Sequence, residues 1–268
     1  MFSATGDQYV AEAVQSARRL RELHAEEVGI ALFTGRTDVE GPFTHVLSLD
    51  PPSHDRTDKI GAMLASPFEE TIFLDTDTYA VENLSEIFDL LSVFDIAAAH
   101  APGRVKREGE TGWHVYYAED VPTSFPAYNT GVVGFKRNRH VKNLFQRWLN
   151  RYKEACCEAD RQVQDQPAFR EVLFHSSDLR IATLPPEYNC RLNVSGYVNG
   201  RVKLLHGRSS SLSAVSKSIN RTTNKRIYLT KTPTEVVFAS DFSFLEKLKY
   251  LTMMFYSHFA LTMKCGKS

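Results

Sequence analysis

Short apolar runs alternate along the chain with segments whose apolar residues recur at helical spacing. Phe2–Ala4, Gly29–Phe33, His45–Leu49, Thr71–Leu74, Phe94–Ala99 and Gly131–Phe135 have the length and composition of strands. Val10, Val14, Ala17 and Leu20 fall near one face of a helix that Asp7 can cap and that runs to about Leu23. A second helix is expected from about Arg56 to Ala65. A third runs from Leu84 to Leu91, capped by Asn83, with Glu86 in the capping-box position. Val141, Leu144, Phe145, Trp148, Leu149 and Tyr152 mark the core-facing side of a fourth. The alternation predicts an α/β fold, a mostly parallel central sheet with helices on both faces.

Two later stretches break this rhythm. Residues 103–126 are polar and loop-like, with Trp113, Tyr116 and Tyr117 among them, and long loops of this kind often bind ligands. Residues 200–234 carry many lysines and arginines and no acidic residue. That is either a solvated basic loop or a surface for phosphates, whether of a donor, an anionic acceptor or a lipid headgroup. The tail from Phe242 to Met263 is apolar, and its uncharged part is too short to span a bilayer. It can pack on the core, make a homo-oligomer contact or lie on a membrane. The expected division is a main domain over 1–208 and a basic loop with a helical appendage over 209–268.

Composition narrows the function classes. The 268 residues are 43% hydrophobic and 24% charged, as in an ordinary globular protein, and the formal net charge of zero argues against nucleic-acid binding. Cys156, Cys157, Cys190 and Cys265 form neither a disulfide framework nor a zinc spacing, so a reducing compartment is expected. The start, Met1 to Asp7, has no basic segment followed by an apolar run, so no signal peptide is expected either. Together these point to a cytoplasmic protein, with peripheral contact at the inner membrane surface as an option for the tail.

The strongest chemical signal is Thr71-Ile72-Phe73-Leu74-Asp75-Thr76-Asp77-Thr78. A strand there ends in two aspartates one residue apart. Ligands of α/β sheets bind at the carboxyl ends of strands, and two carboxylates at such an edge suit a hard divalent cation. An ion held there can grip a diphosphate and stabilise its departure.

Asp75-Thr76-Asp77 resembles the DxD motif of GT-A glycosyltransferases, especially the glycogenin-like, family 8-like branch. The resemblance runs in order from about residue 3 to 208. Thr5-Gly6-Asp7-Gln8-Tyr9 is similar to the segment that holds the nucleoside, and Lys59 stands where a lysine approaches the donor. Asn129-Thr130-Gly131 is similar to the strand beside the sugar, Asp165-Gln166 to a sugar-contacting pair, and Leu184-Pro185-Pro186-Glu187-Tyr188-Asn189 to a Leu-Pro…Tyr-Asn turn. Leu204-Leu205-His206-Gly207 resembles the strand whose histidine completes the metal site. The family's Lys-Pro-Trp segment is missing, and Gly207-Arg208-Ser209-Ser210 stands in its place.

The resemblance implies a Rossmann-like GT-A fold, a UDP-sugar donor, a Mn²⁺ or Mg²⁺ cofactor, a glycan or other acceptor and retention of configuration, and the basic segment and apolar tail add a lipid-linked glycan as a candidate acceptor. The resemblance also implies metal ligands Asp75, Asp77 and His206. It implies donor contacts from Thr5, Tyr9, Lys59, Thr76, Thr130, Gly131, Gly207 and Arg208, with Asn129, Asp165 and Gln166 at the reacting sugar. Each residue also has a plain structural reading. His206 and Tyr9 could be core residues, Lys59 a solvated helix position, Asn129 a turn residue and Asp165 a helix cap. Arg104 and His100 follow a strand and could reach the site. Two other functions stay open: a haloacid-dehalogenase-type phosphatase with Asp75 as nucleophile, and a non-catalytic sugar-nucleotide-binding module.

Overall fold

The computed structural model describes residues 1–24, 28–36, 38–101, 118, 120–209, 212–232 and 235–238. Strands β1 (Phe2–Ser3), β2 (Ala31–Thr34) and β3 (His45–Ser48) lie parallel in that order, and helix α1 (Asp7–His24) joins the first two. Helix α2 (Arg56–Leu64) leads to β4 (Glu70–Leu74), whose Leu74 N–H donates to the Met1 carbonyl at 3.0 Å and brings β4 alongside the first sheet. There follow β5 (Thr78–Ala80), α3 (Glu86–Val93), β6 (Ile96–His100), β7 (Tyr128–Lys136), α4 (Arg139–Ala159), α5 (Asp165–Phe174) and β8 (Ile181–Leu184). The second sheet has the order β4-β7-β6-β8. β6 and β8 are parallel, while β7 runs antiparallel to both its neighbours.

A 3-10 turn (Pro186–Tyr188) precedes β9 (Cys190–Arg191), β10 (Gly196–Val198) and β11 (Leu204–His206). β11 lies between β5 and β9 in a small sheet. Helix α6 (Leu212–Ile219) then leads to β12 (Arg226–Thr232) and β13 (Glu235–Phe238), and β12 pairs with both β10 and β13. The basic stretch 200–234 is therefore not all loop. Leu212, Val215 and Ile219 keep helical spacing, and Val215 and Ile219 are buried in a small core with Val198, Val202 and Tyr228.

The central strands are buried on both faces, as parallel and mixed sheets between helix layers require. Phe73 and Val133 face one core with Phe145, Trp148 and Tyr152 of α4. Their neighbours Leu74 and Val132 face the other, with Val10, Ala13 and Ala17 of α1 and Ile87 and Leu91 of α3. The expected apolar face of α4 is thus the core face. Asn138 caps that helix, its side chain accepting from Val141 N–H at 2.9 Å.

Two expected caps differ. Asp7 is the first residue of α1 rather than its cap, and it pairs with Arg36 at 2.6 Å. Asn83 does not cap α3. It accepts from Ser85 N–H in a turn before the helix, which starts at Glu86, and Glu86 pairs with Lys203 instead of closing a capping box. The loop residues Arg104, Trp113, Tyr116 and Tyr117, Cys265 and the apolar tail lie outside the described residues. Among the described residues, no helix is long and apolar enough to cross a membrane, and Cys156, Cys157 and Cys190 are free thiols.

Two glycines test this packing with opposite signs. A Cβ at Gly134 of β7 would lie 2.8 Å from Ile87 Cγ2 and 3.5 Å from Ala97 Cβ, whereas one at Gly61 of α2 would meet nothing within 4 Å. Gly134→Ala should destabilise by about 1–3 kcal/mol through overpacking. Gly61→Ala should stabilise by about 0.5–1 kcal/mol through helix propensity. Urea denaturation of both variants measures this, and equal signs would contradict the packing described.

Candidate functional site

The first sheet and β4 carry their carboxyl ends to one edge, where β4 stops at buried Leu74 and the chain turns sharply. Asp75 N–H donates to the Gly131 carbonyl at 2.8 Å, and Thr78 returns its N–H and its hydroxyl to the Asp75 carbonyl at 3.2 and 2.8 Å. The Thr76 hydroxyl donates to Glu12 Oε2 of α1 at 2.9 Å. The turn is thereby pinned to β7, to itself and to α1, and Asp75 and Asp77 project into one space.

β11 delivers the third group. It pairs with β5 and β9 in a register that sets His206 opposite Thr78 and Arg191. Gly207 follows with φ of 122°, a left-handed conformation suited to glycine, and its N–H donates to the Asp77 carbonyl at 2.9 Å. His206 is buried, with Nε2 3.4 Å from Asp77 Oδ1 and 3.6 Å from Asp75 Oδ2. Candidate ligand atoms of the three residues all lie within 4.8 Å of one another.

The hydrogen bonds of His206 fix its protonation. Nδ1 lies 2.7 Å from Asn189 Oδ1, and a guanidinium nitrogen of Arg191 contacts Nε2. Guanidinium can only donate, so Nε2 carries the lone pair and Nδ1 the proton. Burial first, and then Arg191, lower the imidazole pKa below its ordinary value against the opposing pull of Asp77 and Asp75. This neutral tautomer is the metal-binding form. Burial opposes the charge of Asp77, but His206 in its protonated form, then Arg208 and Arg191, outweigh it and hold that carboxyl below the usual range.

Two carboxylates and a neutral imidazole make a donor set that Mn²⁺ accepts, with Mg²⁺ less suited to the nitrogen. Gly131 shows that the space is kept open. A Cβ there would overlap Asp75 Oδ2 and His206 Cε1. The residues present therefore fit a divalent ion.

A polar cavity of about 410 Å³ lies over this cluster. Every residue expected at the site lines it except Gly131 and Gly207, which act through backbone and spacing. Lys59 is a half-buried cavity residue rather than a solvated one, its side chain 13% exposed. Its Nζ is 2.9 Å from Asp75 Oδ1, 3.2 Å from Thr130 Oγ1 and 3.6 Å from Asp165 Oδ2. Burial alone would lower its pKa, but Asp75 and Asp165 more than offset this, so the ammonium persists. Asp165 opens α5 and accepts from the Thr130 hydroxyl at 2.7 Å, with Arg56 Nε at 3.5 Å. Its carbonyl accepts from Trp148 Nε1 at 3.0 Å, which ties the site to the core of α4. Asn129 Nδ2 donates to Gln166 Oε1 at 3.1 Å, and Asn129 Oδ1 accepts from Gly131 N–H.

Tyr9 is not a core aromatic. It is 47% exposed, and the Arg208 guanidinium lies 5.6 Å from its ring centre. Arg208 is held bidentately by Glu12, at 2.7 and 2.9 Å. Glu12, Arg56 and Arg191 are among the contributors that sequence reasoning missed. No motif surrounds them, and only the packing of α1 and α2 beside the cavity and the pairing of β9 with β11 bring them in. His100 does not line this cavity. It borders a neighbouring one and packs edge-on against Tyr128.

Gly131→Ala should weaken Mn²⁺ binding by about 10–100-fold, the loss typical of disturbing the shell around metal ligands. Calorimetric titration of the folded variant measures it, and wild-type affinity would overturn the assignment of Asp75 and His206 as joint ligands.

No family model matches the sequence, and no curated protein matches it. Solved structures do. The galactosyltransferase LgtC in complex with donor and acceptor sugar analogs superposes with a TM-score of 0.55 at 14% identity, covering 82% of this chain and 92% of LgtC. An active-site mutant of LgtC gives 0.54 at 13% over the same shares. The bifunctional glycosyltransferase WbbM in its apo form gives 0.51 at 15%, covering 76% of this chain and 44% of WbbM. Likeness at this identity speaks for the fold, and it leaves the haloacid-dehalogenase reading without its structural basis. The chain has the GT-A glycosyltransferase fold, and at the end of its fourth strand stands an Asp75–Asp77–His206 cluster able to hold a metal ion.

Proposed function

We propose that the protein is a metal-dependent glycosyltransferase that moves a hexose from a UDP-sugar to a glycan acceptor with retention of configuration. The observation that carries this reading is the convergence of Asp75, Asp77 and neutral His206 beneath a polar cavity on a GT-A fold. LgtC, described as a galactosyltransferase with donor and acceptor sugar analogs, supports a nucleotide-sugar donor and a glycan acceptor.

A divalent ion bound by Asp75, Asp77 and His206 would neutralise charge on the leaving diphosphate. The chain's own groups do the rest. Thr5 and Tyr9 line the end of the cavity next to α1, where the exposed ring offers a face to a nucleobase. Lys59, kept cationic and fixed by Asp75, Thr130 and Asp165, adds positive charge toward the phosphates. Arg208 is preoriented by Glu12 with a guanidinium suited to phosphate. Asn129, Asp165 and Gln166 form one hydrogen-bonded shelf that can orient sugar hydroxyls as the transferred carbon passes through an oxocarbenium-like state. The non-catalytic module remains the alternative, and transfer activity separates the two.

Thermal unfolding with UDP, GDP or CMP, each with Mn²⁺ or with EDTA, tests the donor site. A ligand that binds only the folded chain raises the melting temperature, by an amount set by its concentration over Kd. UDP with Mn²⁺ should stabilise and UDP with EDTA should not. Asp77→Ala should abolish the Mn²⁺-dependent part, and an unchanged shift in that variant would sink the metal assignment.

A further inference from the structure

A second cavity, of about 320 Å³, adjoins the first across Arg191, which lines both. Its walls come from the ends of β6 and β8, the 3-10 turn, β9, β10 and Tyr228 of β12. Two features of these walls point to a ligand. Asn189 is 4% exposed, and its Nδ2 is buried without a hydrogen-bond partner among the described residues. Arg191 Nε is likewise buried without a partner. Buried donors are almost always satisfied, so two orphans on neighbouring residues that both line this cavity single it out as a place where a ligand's acceptor atoms can complete them once the side chains shift. No described carboxylate lines the cavity, so nothing in its wall answers the guanidinium charge. Tyr197, 49% exposed, adds an aromatic face at the cavity.

Both orphan donors belong to side chains whose other end holds His206. Asn189 Oδ1 takes the His206 Nδ1 proton, and an Arg191 terminal nitrogen faces Nε2. The cavity therefore lies directly behind the metal ligand, within one side chain of the place where a sugar would be transferred. A guanidinium, an amide N–H and an aromatic face together suit a sugar that carries an acid group.

We propose that this second cavity is the acceptor subsite and that it selects a glycan bearing a carboxylate or phosphate, clamped by Arg191 and Asn189 Nδ2. The proposal rests on the transferase reading above. Arg191 is then a specificity residue, touching the acceptor's acid group rather than the reacting atoms.

The test is calorimetric titration of protein saturated with Mn²⁺ and UDP, using glucuronic acid, glucose 6-phosphate and glucose as probes. Saturation keeps the donor site from taking the phosphate probe. At least one acid probe should bind about tenfold or more tighter than glucose, a difference of about 1.4 kcal/mol. Arg191→Met should reduce that preference to near unity. Inorganic phosphate should displace the acid probe from the wild type without displacing UDP, and this competition decides the matter should Arg191→Met fail to fold. Equal binding of acid and neutral probes by the wild type overturns the proposal and leaves the transferase reading standing. So does an unchanged preference in Arg191→Met. A protein that binds no UDP with Mn²⁺ loses both readings.

Discussion

Asp75 and His206 come from elements far apart in the chain, and they can face each other only because Gly131 has no side chain. A single Cβ on β7 would fill the space that their ligand atoms share. β7 must therefore run close beside β4, and its five-residue antiparallel register from Glu70↔Lys136 to Leu74↔Val132 sets that approach. The same register aligns Asn129 and Thr130 with the cavity and hands the Gly131 carbonyl to Asp75 N–H. The packing of β7 is thus what makes an acidic turn into a candidate metal site.

Around this point the site alternates charges. Lys59 sits between Asp75 and Asp165, Arg56 reaches Asp165, Arg208 is held by Glu12 near Asp77, and Arg191 backs His206. Partly buried carboxylates without such partners would be costly to keep ionised. The interleaved cations give the carboxylates partners and aim them before any metal arrives. A divalent cation added to this arrangement brings excess positive charge, which a diphosphate offsets. Metal and nucleotide should accordingly support each other's binding, as any two ligands with a favourable coupling must do reciprocally.

Much of this was legible in the sequence, and what was not has physical reasons. Apolar runs reveal strands, and the break from Leu74 to Asp75 reveals a strand end at a cavity. The periodicity of Val141 to Tyr152 reveals the core face of α4. Strand direction is another matter, because an apolar strand such as β7 reads the same in either direction, and only its partners decide. The cap at Asn83 was misplaced because its side chain closes a turn two residues before the helix, a competition open to any asparagine. The stretch 200–234 looked like loop because its charge masked the spacing of Leu212, Val215 and Ile219. Glu12 and Arg191 were invisible for a simpler reason. Their roles depend on α1 crossing the Asp75–Asp77 turn and on β9 pairing in register with β11, and neither is a local property of the chain.

Arg191 and Asn189 connect these constraints to selectivity. Each has one end on His206 and a buried, unsatisfied donor, and both residues line the adjoining cavity. Asn189 follows the 3-10 turn and Arg191 ends β9, and because both contact the imidazole, a ligand bound by either side chain also bears on His206. A donor site built only for nucleotide and metal would gain nothing from leaving these two donors unsatisfied, since each unmade hydrogen bond costs about 1–3 kcal/mol. That cost is offset if an acceptor oxygen completes the bonds. In such an arrangement the acceptor's acid group, Arg191, His206 and the two aspartates form one continuous electrostatic unit.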